Sequence, residues 1–373
     1  MNWYLQNGKD SDVAISTRIR LARNLNEFKF NLKSKEEIEE LEKKVQENLF
    51  NIGYGLKFLK LKDMDDITKM SLVEKNLVSP EFVLKRNETG SILINDDENI
   101  CIMIGEEDHL RIQVFSSGID LENTLNLAIE LDQKIEETLG YSINKKYGYL
   151  TACQSNMGTG LRASIMVHLP ALSKTKNTRK ILETINNFGM NIRGIYGENS
   201  ESTGDMYQIS NKQTLGINEK EIIKNLQVIV EKIIGQEKQA RKLLAKDELE
   251  LEDIIYRSYG ILTNARKISS EEMRELLTNI KLGTDLGILK ELTDLKVKKL
   301  YLYSKPANLQ KYFGEQYEAI ERDFKRAEMV RGVLSEKWCR YYVRLTEQIS
   351  LRETFSLLFY YIKKAPRKEA ICW

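Results

Sequence analysis

Residues 90–115 read GSILINDDENICIMIGEEDHLRIQVF. Three short apolar runs, SILI (91–94), NICIMI (99–104) and LRIQVF (110–115), are separated by two polar breaks, NDDEN and GEEDH. Runs this short, rich in Ile and Val and bounded by turn-forming residues, predict strands rather than helices. Breaks of about five residues join neighbouring strands antiparallel, so the stretch predicts a meander. The second break leaves a question: three acids in a row stand beside His109, one of two histidines in the chain.

Outward from the meander, LKFLKL (56–61), GYLTAC (148–153) and ASIMVHL (163–169) also predict strands. Helical spacing of apolar residues occupies 35–50, 119–138 and 172–187. The class is therefore α+β: an antiparallel sheet flanked by helices. The polar, glycine-containing stretch RGIYGENSESTGDMYQISN (193–211) predicts a long loop beside the sheet. After Asn218 the texture becomes helical, and Glu221 three residues on completes a capping-box pattern. SYGILTNARKISSEEMRELL is read as two helices joined through a glycine-containing turn. These shifts divide the chain into 1–217, a helical 218–331, and an aromatic, basic tail at 332–373 to which no role is given.

The chain has 373 residues, enough to bury a sizeable core, with 42% hydrophobic and 30% charged residues. A net charge of +2 gives no global field for nucleic acid or a membrane surface. Four cysteines without a CxxC pair, and two histidines, do not suggest a zinc site or a disulfide framework. The polar opening MNWYLQNGKDSD and the lack of a long uncharged apolar run point to the cytoplasm.

Three stretches carry candidate chemistry. STRIRLARN (16–24) holds Arg18, Arg20 and Arg23; if extended, it turns Arg18 and Arg20 to one face. Two adjacent guanidiniums repel unless an anion separates them, and a polyphosphate suits arginine's bidentate fork. The plain alternative is a solvated basic strand. CQSNMGTGLRAS (153–164) sets two glycines and Arg162 after Cys153, which suits either an anion cradle or a tight turn. Cys153 is either a thiol activated by nearby cations or an inert one. The 193–211 stretch carries Glu198 and Glu201, acids of a lid-forming loop or merely exposed ones.

STRIRLARN, GEEDHLRI, CQSNMGTGLRAS and RGIYGENSES, in this order, resemble the signatures of the phosphagen (guanidino) kinases, over roughly 12–331. Within them the chain is most similar to the bacterial branch that phosphorylates arginine in proteins. The resemblance implies a phosphagen-kinase catalytic domain, ATP and Mg²⁺, and nucleotide-phosphate contacts by Arg18, Arg20, Arg111 and Arg162. Arg193 is added because Tyr196 stands where small-substrate members carry a further arginine. The resemblance also implies that Glu107 and Glu201 grip the acceptor guanidinium beside Cys153, whose neighbours Gln154 and Ser155 depart from the usual pattern. The first arginine motif starts at Ser16, where small-substrate members have a helical domain before it, so the acceptor is expected to be protein. RDFKRA (322–327) matches a phosphoarginine-binding RDxxRA pattern through Arg322, Asp323 and Arg326. A homodimer, a zinc-binding activator protein, a Clp-type protease and marking of proteins for degradation under stress are also implied. The alternative is a phosphoarginine-binding adaptor whose kinase site is silent.

Overall fold

A computed structural model describes residues 2–32, 34–49, 52–175, 189–194 and 204–335. Ten strands are described: β1 (Ala14–Arg23), β2 (Lys57–Lys60), β3 (Ser91–Ile94), β4 (Ile100–Ile104), β5 (Leu110–Ser117), β6 (Ile143–Asn144), β7 (Gly148–Tyr149), β8 (Leu161–His168), β9 (Met190–Gly194) and β10 (Met206–Asn211). Eight of them form one sheet in the order β2-β3-β4-β5-β1-β8-β10-β9. Every pairing in it is antiparallel. The meander is present as β3-β4-β5, and STRIRLAR lies inside the central strand β1.

Strand alternation decides what each face does. Ile19 and Leu21 of β1, Ile112 and Val114 of β5, and Ala163 and Ile165 of β8 point into one core. That core is closed by α1 (Lys35–Leu49), α4 (Leu121–Leu139) and α6 (Glu219–Leu244). Between them in the chain lie α2 (Asp66–Glu74), α3 (Pro80–Lys85) and α5 (Pro170–Lys174). A second, smaller core packs Leu72 and Phe82 of α2 and α3, with Trp3, on the opposite face of β3–β5. The expected change at Asn218 is the start of α6, where Asn218 and Glu221 form a reciprocal capping box. The apolar stripe of α6 nevertheless lies in the sheet's core. A third core gathers α7 (Glu248–Asn264), α8 (Ser270–Asp285), α9 (Asp294–Tyr303), α10 (Pro306–Phe313) and α11 (Ala319–Leu334), beginning at Leu251.

Three local expectations are corrected. The stretch 193–211 is not one loop: its ends are strands β9 and β10, hydrogen-bonded to each other, and 195–203 lies outside the described residues. GYLTAC supplies strand only at Gly148–Tyr149, after which the chain makes a short 3-10 turn at Gln154–Asn156. Gly260 lies inside α7, and residues 265–269 make the turn, which ends on Ser269 capping α8. The tail beyond Ser335, most of the expected helix 172–187, and Glu198 and Glu201 lie outside the described residues.

Arg23 has the opposite strand parity to Arg18 and Arg20 and is fully buried. Asp132 of α4 holds it, with Nη2 to Oδ2 at 2.6 Å, while its guanidinium lies 3.6 Å from the centre of the Tyr149 ring. Two backbone carbonyls, of Ala22 and Thr159, accept from its Nη1. Gly160 sits against this group: a Cβ there would meet Arg23 Nη1 at 2.4 Å. The glycines of GTG thus permit close packing, which is the turn reading of that motif. Truncating Asp132 leaves a buried charge unpaired. Asp132→Ala should therefore lose about 3–5 kcal/mol of stability, read by denaturant melts.

The turn between β4 and β5 is tied down from outside. Asp108 is buried, and its Oδ1 accepts from Asn24 Nδ2 at 2.7 Å and from the Ala152 backbone N–H at 2.6 Å. Asn24 Oδ1 accepts from the His109 N–H at 2.8 Å. His109 Nδ1 accepts from Leu25 N–H at 3.0 Å, so its Nε2 carries the proton and donates to the Lys29 carbonyl at 2.9 Å. Burial lowers the His109 pKa. The unfolded chain then takes up the proton first, near pH ~6.5, so this contribution is present above that pH and lost below it. His109→Gln should flatten the loss of stability between about pH 7 and 5, as measured by melts across that range.

Candidate active site

The register places five arginines on one face of the sheet. Arg20 of β1 stands directly opposite Arg162 of β8 and, on its other side, Gln113 of β5. Arg111 lies two residues along β5 from Gln113, on the same face. Arg18 pairs with Phe115 and Ser164, and Arg193 of β9 pairs with Gln208 of β10, which pairs with Met166. Like charges directly opposite one another on a sheet repel. Burial first, and then the charges of Arg162 and Arg111, push the Arg18 pKa down to about 10. Arg20 is lowered well below the guanidinium range by burial and by Arg111, Arg18 and Arg162, with Glu106 acting against them. Arginine stays protonated in proteins, so these directions record charges held at a cost. Arg18 Nε is buried without a hydrogen-bond partner, and Arg162 Nη2 donates to Ser210 Oγ at 3.2 Å.

At the edge of this face the acids of GEEDH separate. Glu106 is nearly buried and grips Arg111 in a bidentate pair, with both contacts at 2.6 Å. Its oxygens also accept from Ser79 Oγ, the cap of α3, and from the Glu107 N–H. Arg111 is therefore neutralised at one end of the cluster. Glu107 is different: its side chain is 45% exposed, and one of its oxygens lies 3.5 Å from Arg111 Nη2. Asp108 connects this turn to Ala152, the residue before Cys153, so Glu107 and Cys153 each neighbour a partner of the same part-buried hydrogen bond. Cys153 is partly exposed, with Sγ 3.0 Å from Ser155 Oγ. The loop that carries it leans on Thr214, whose hydroxyl serves the Ser155 and Met157 carbonyls.

The arrangement offers cations in a row, one accessible carboxylate and a thiol side by side. A polyanion fits the cluster, because it supplies the opposite charge and an acceptor for the buried Arg18 Nε. Among the described residues no group of three or more His, Cys, Asp or Glu side chains gathers to hold a metal. A divalent ion there would take most of its oxygens from phosphate and water, as Mg²⁺ commonly does.

The three RDFKRA residues lie elsewhere, on α11. Arg326 is fully buried and donates to the Ser304 and Ile268 carbonyls at 2.8 and 2.7 Å and to Asp323 at 2.7 Å. Arg322 is partly exposed and reaches the Tyr317 carbonyl at 3.4 Å. Sequence reasoning did not single out Asn24, Ser79 or Asp108's partners. Asn24 closes the arginine motif and Asp108 follows Glu107, but a single sequence gives no sign that residues 84 apart meet.

Residues 37–240 match the family model "ATP:guanido phosphotransferase, C-terminal catalytic domain". Residues 248–340 match "Protein-arginine kinase McsB C-terminal domain". A protein-arginine kinase of Halothermothrix orenii is 46% identical over 337 residues, covering 90% of this chain and 96% of the relative. One of Halalkalibacterium halodurans is 44% identical over 337 residues, covering 89% and 94%. Among solved structures, lombricine kinase superposes with a TM-score of 0.54 at 26% identity, covering 61% of this chain and 67% of that one. The antiparallel sheet with its row of arginines, the helical region after it and these identities agree: the chain belongs to the protein-arginine kinase family of the ATP:guanido phosphotransferases.

Proposed function

We propose that this protein transfers the γ-phosphate of ATP to arginine side chains of proteins. The observation that carries the reading is the single sheet face that gathers Arg18, Arg20, Arg111, Arg162 and Arg193, with Glu107 open at its edge beside the Cys153 loop. The family's activity and the names of the relatives support the same reading.

A guanidinium is a poor nucleophile because it stays protonated, with a pKa above ~12. Stripping the proton beforehand at neutral pH costs on the order of 8 kcal/mol. Neighbouring carboxylates raise that pKa further, so they cannot work by prior deprotonation. Glu107 is assigned to align the acceptor guanidinium and accept its proton as the P–N bond forms and the bond from the γ-phosphorus to the departing ADP oxygen breaks. Glu201 is assigned as the second clamp, and Cys153 as a contact beside the guanidinium. The arginines compensate charge on the phosphates and on the transferring group; Mg²⁺, if brought with the nucleotide, would supply further positive charge to the phosphates there. Positioning supplies much of the rate. Glu106 is excluded from proton transfer because its oxygens are committed to Arg111, Ser79 and the Glu107 N–H.

The catalytic unit in this reading extends through α6, whose stripe belongs to the sheet's core, and the helical unit starts at α7. Within that unit Arg322 and Asp323 are assigned to phosphoarginine, with Arg326 bracing the loops beneath them. The resemblance alone carries the homodimer, the zinc-binding activator, the Clp-type protease, the cytoplasmic setting and a role in degradation under stress. No helix among the described residues is long and apolar enough to cross a membrane. A silent-site adaptor would rest on Arg322 and Asp323 and leaves the accessible Glu107 without a use.

Incubation with labelled ATP, Mg²⁺ and an unfolded acceptor such as casein should yield acid-labile protein phosphate. Glu107→Gln should cut kcat by at least roughly a hundredfold. Arg18→Ala should raise the KM for ATP and leave that for the acceptor nearly unchanged. Undiminished labelling by a Glu107→Gln, Glu201→Gln double variant contradicts the assignment.

A further inference from the structure

We infer that Ser79 is a positioning residue for the transfer: its hydroxyl orients Glu106, and through Glu106 the guanidinium of Arg111. Ser79 ends the short segment between α2 and α3. Its Oγ lies 3.1 Å from the backbone nitrogen of Phe82 and 3.0 Å from Glu106 Oε1. A backbone N–H can only donate, so the hydroxyl accepts from Phe82 and gives its single proton to the carboxylate. Both oxygens of Glu106 are then filled. Oε1 takes Arg111 Nη1 at 2.6 Å and Ser79 Oγ, and Oε2 takes Arg111 Nη2 at 2.6 Å and the Glu107 N–H at 2.7 Å. A carboxylate held in this way cannot turn about its last bond without losing contacts at both oxygens, so the plane of the Arg111 fork is fixed with it. Capping α3 requires only that Ser79 accept; the proton given to Glu106 goes beyond that need.

The segment that carries Ser79 is itself fixed, and it touches β5 and the turn before it. Leu77 and Val78 are buried in the smaller core. The Leu77 N–H donates to the Leu72 carbonyl at 3.0 Å, closing the end of α2 across Asn76, whose φ is +62°. The Leu77 carbonyl accepts from Gln113 Nε2 at 2.6 Å, and Gln113 stands opposite Arg20 in the register. Leu77 and Ser79 thus hold two side chains of the arginine face, Gln113 directly and Arg111 through Glu106. Groups that stabilise charge in a transition state act best when they are aimed beforehand by a rigid surround. Ser79 is partly buried and is assigned no contact with nucleotide or acceptor, so it acts through Arg111. The inference rests on the reading that Arg111 contacts the nucleotide phosphates.

The test measures kcat, the KM for ATP and the KM for the protein acceptor in the full chain, for Ser79→Gly, Ser79→Thr, Arg111→Ala and the Ser79→Gly, Arg111→Ala double variant. Glycine caps a helix nearly as well as serine but has no hydroxyl, so Ser79→Gly removes the contact with Glu106 and little of the cap. It should raise the KM for ATP roughly three- to tenfold and lower kcat about threefold or more, with the acceptor KM changed less than about twofold. Ser79→Thr keeps the hydroxyl and should return kcat and the KM for ATP to within about twofold of the parent. In the Arg111→Ala background Ser79→Gly should cost less than about twofold more, because the residue through which it acts is gone. Parental kinetics in Ser79→Gly overturn the inference. So does a fall in kcat with both KM values unchanged, the mark of a smaller folded fraction, or an undiminished further loss in the double variant. If Ser79→Gly does not fold, Ser79→Asp decides: it keeps the cap's acceptor and gives no proton, so a raised KM for ATP is expected and parental kinetics overturn the inference. Parental kinetics in Arg111→Ala overturn the reading of Arg111 itself, whereas an impaired Arg111→Ala beside a parental Ser79→Gly sinks the positioning role alone.

Discussion

The structure depends on one constraint in its central strand: β1 must bury Ile19 and Leu21, and strand alternation then forces Arg18 and Arg20 onto the other face. Because β1 pairs with β5 on one side and β8 on the other, the same register sets Arg20 against Arg162 and brings Arg111 alongside. A one-residue slip of β1 would turn Arg18 and Arg20 into the core and Ile19 and Leu21 out of it, so burial enforces their place in the cluster. The folded chain therefore holds mutually repelling cations in place by apolar burial elsewhere. An anion bound among them gains what the cluster lacks. The main core lies on one face of the sheet, and the arginines share the other with the smaller core under Trp3.

Beside this cluster, four consecutive residues divide their work by burial. Glu106 neutralises Arg111, Asp108 joins the turn to the Cys153 loop, and His109 ties it to the segment after β1. The effect is to leave Glu107 as the exposed acid of the group, on a turn with little freedom to drift. Rigid support of this kind matters where positioning supplies the rate. The helical region is tied to the sheet's own helices by separate contacts. Glu74 of α2 caps α10 through the Ala307 and Asn308 N–H groups, and Arg241 and Lys281 share Asp285. Burial raises the Asp285 pKa to about 6 against the pull of those two cations.

Much of the fold was legible in the sequence because it rests on periodicity. The β3-β4-β5 meander and helices α1, α4 and α6 all carry patterns that burial alone explains. Strands β9 and β10 were not legible: MYQISN pairs with both neighbours, but its polar composition and the glycines before it read as a loop. Helices α2 and α3 are short and owe their form to caps by Asp65 and Ser79 and to packing under Trp3. The site was legible in residue type and spacing, yet its partition was not. Nothing local marks Glu106 as Arg111's partner, or Arg326 as buried beneath its own motif. Those facts arise from contacts across long stretches of chain, which a single sequence does not encode locally.

The central claim is that the arginine face is kept at a cost that a polyphosphate offsets, and Arg20→Met tests it most directly. Methionine keeps the apolar stem and removes the charge that burial and Arg111, Arg18 and Arg162 disfavour. Thermal melts with and without ATP and Mg²⁺ should show a higher Tm for the ligand-free variant than for the parent, and a much smaller rise on adding nucleotide. A lower ligand-free Tm together with an undiminished nucleotide response would contradict the account.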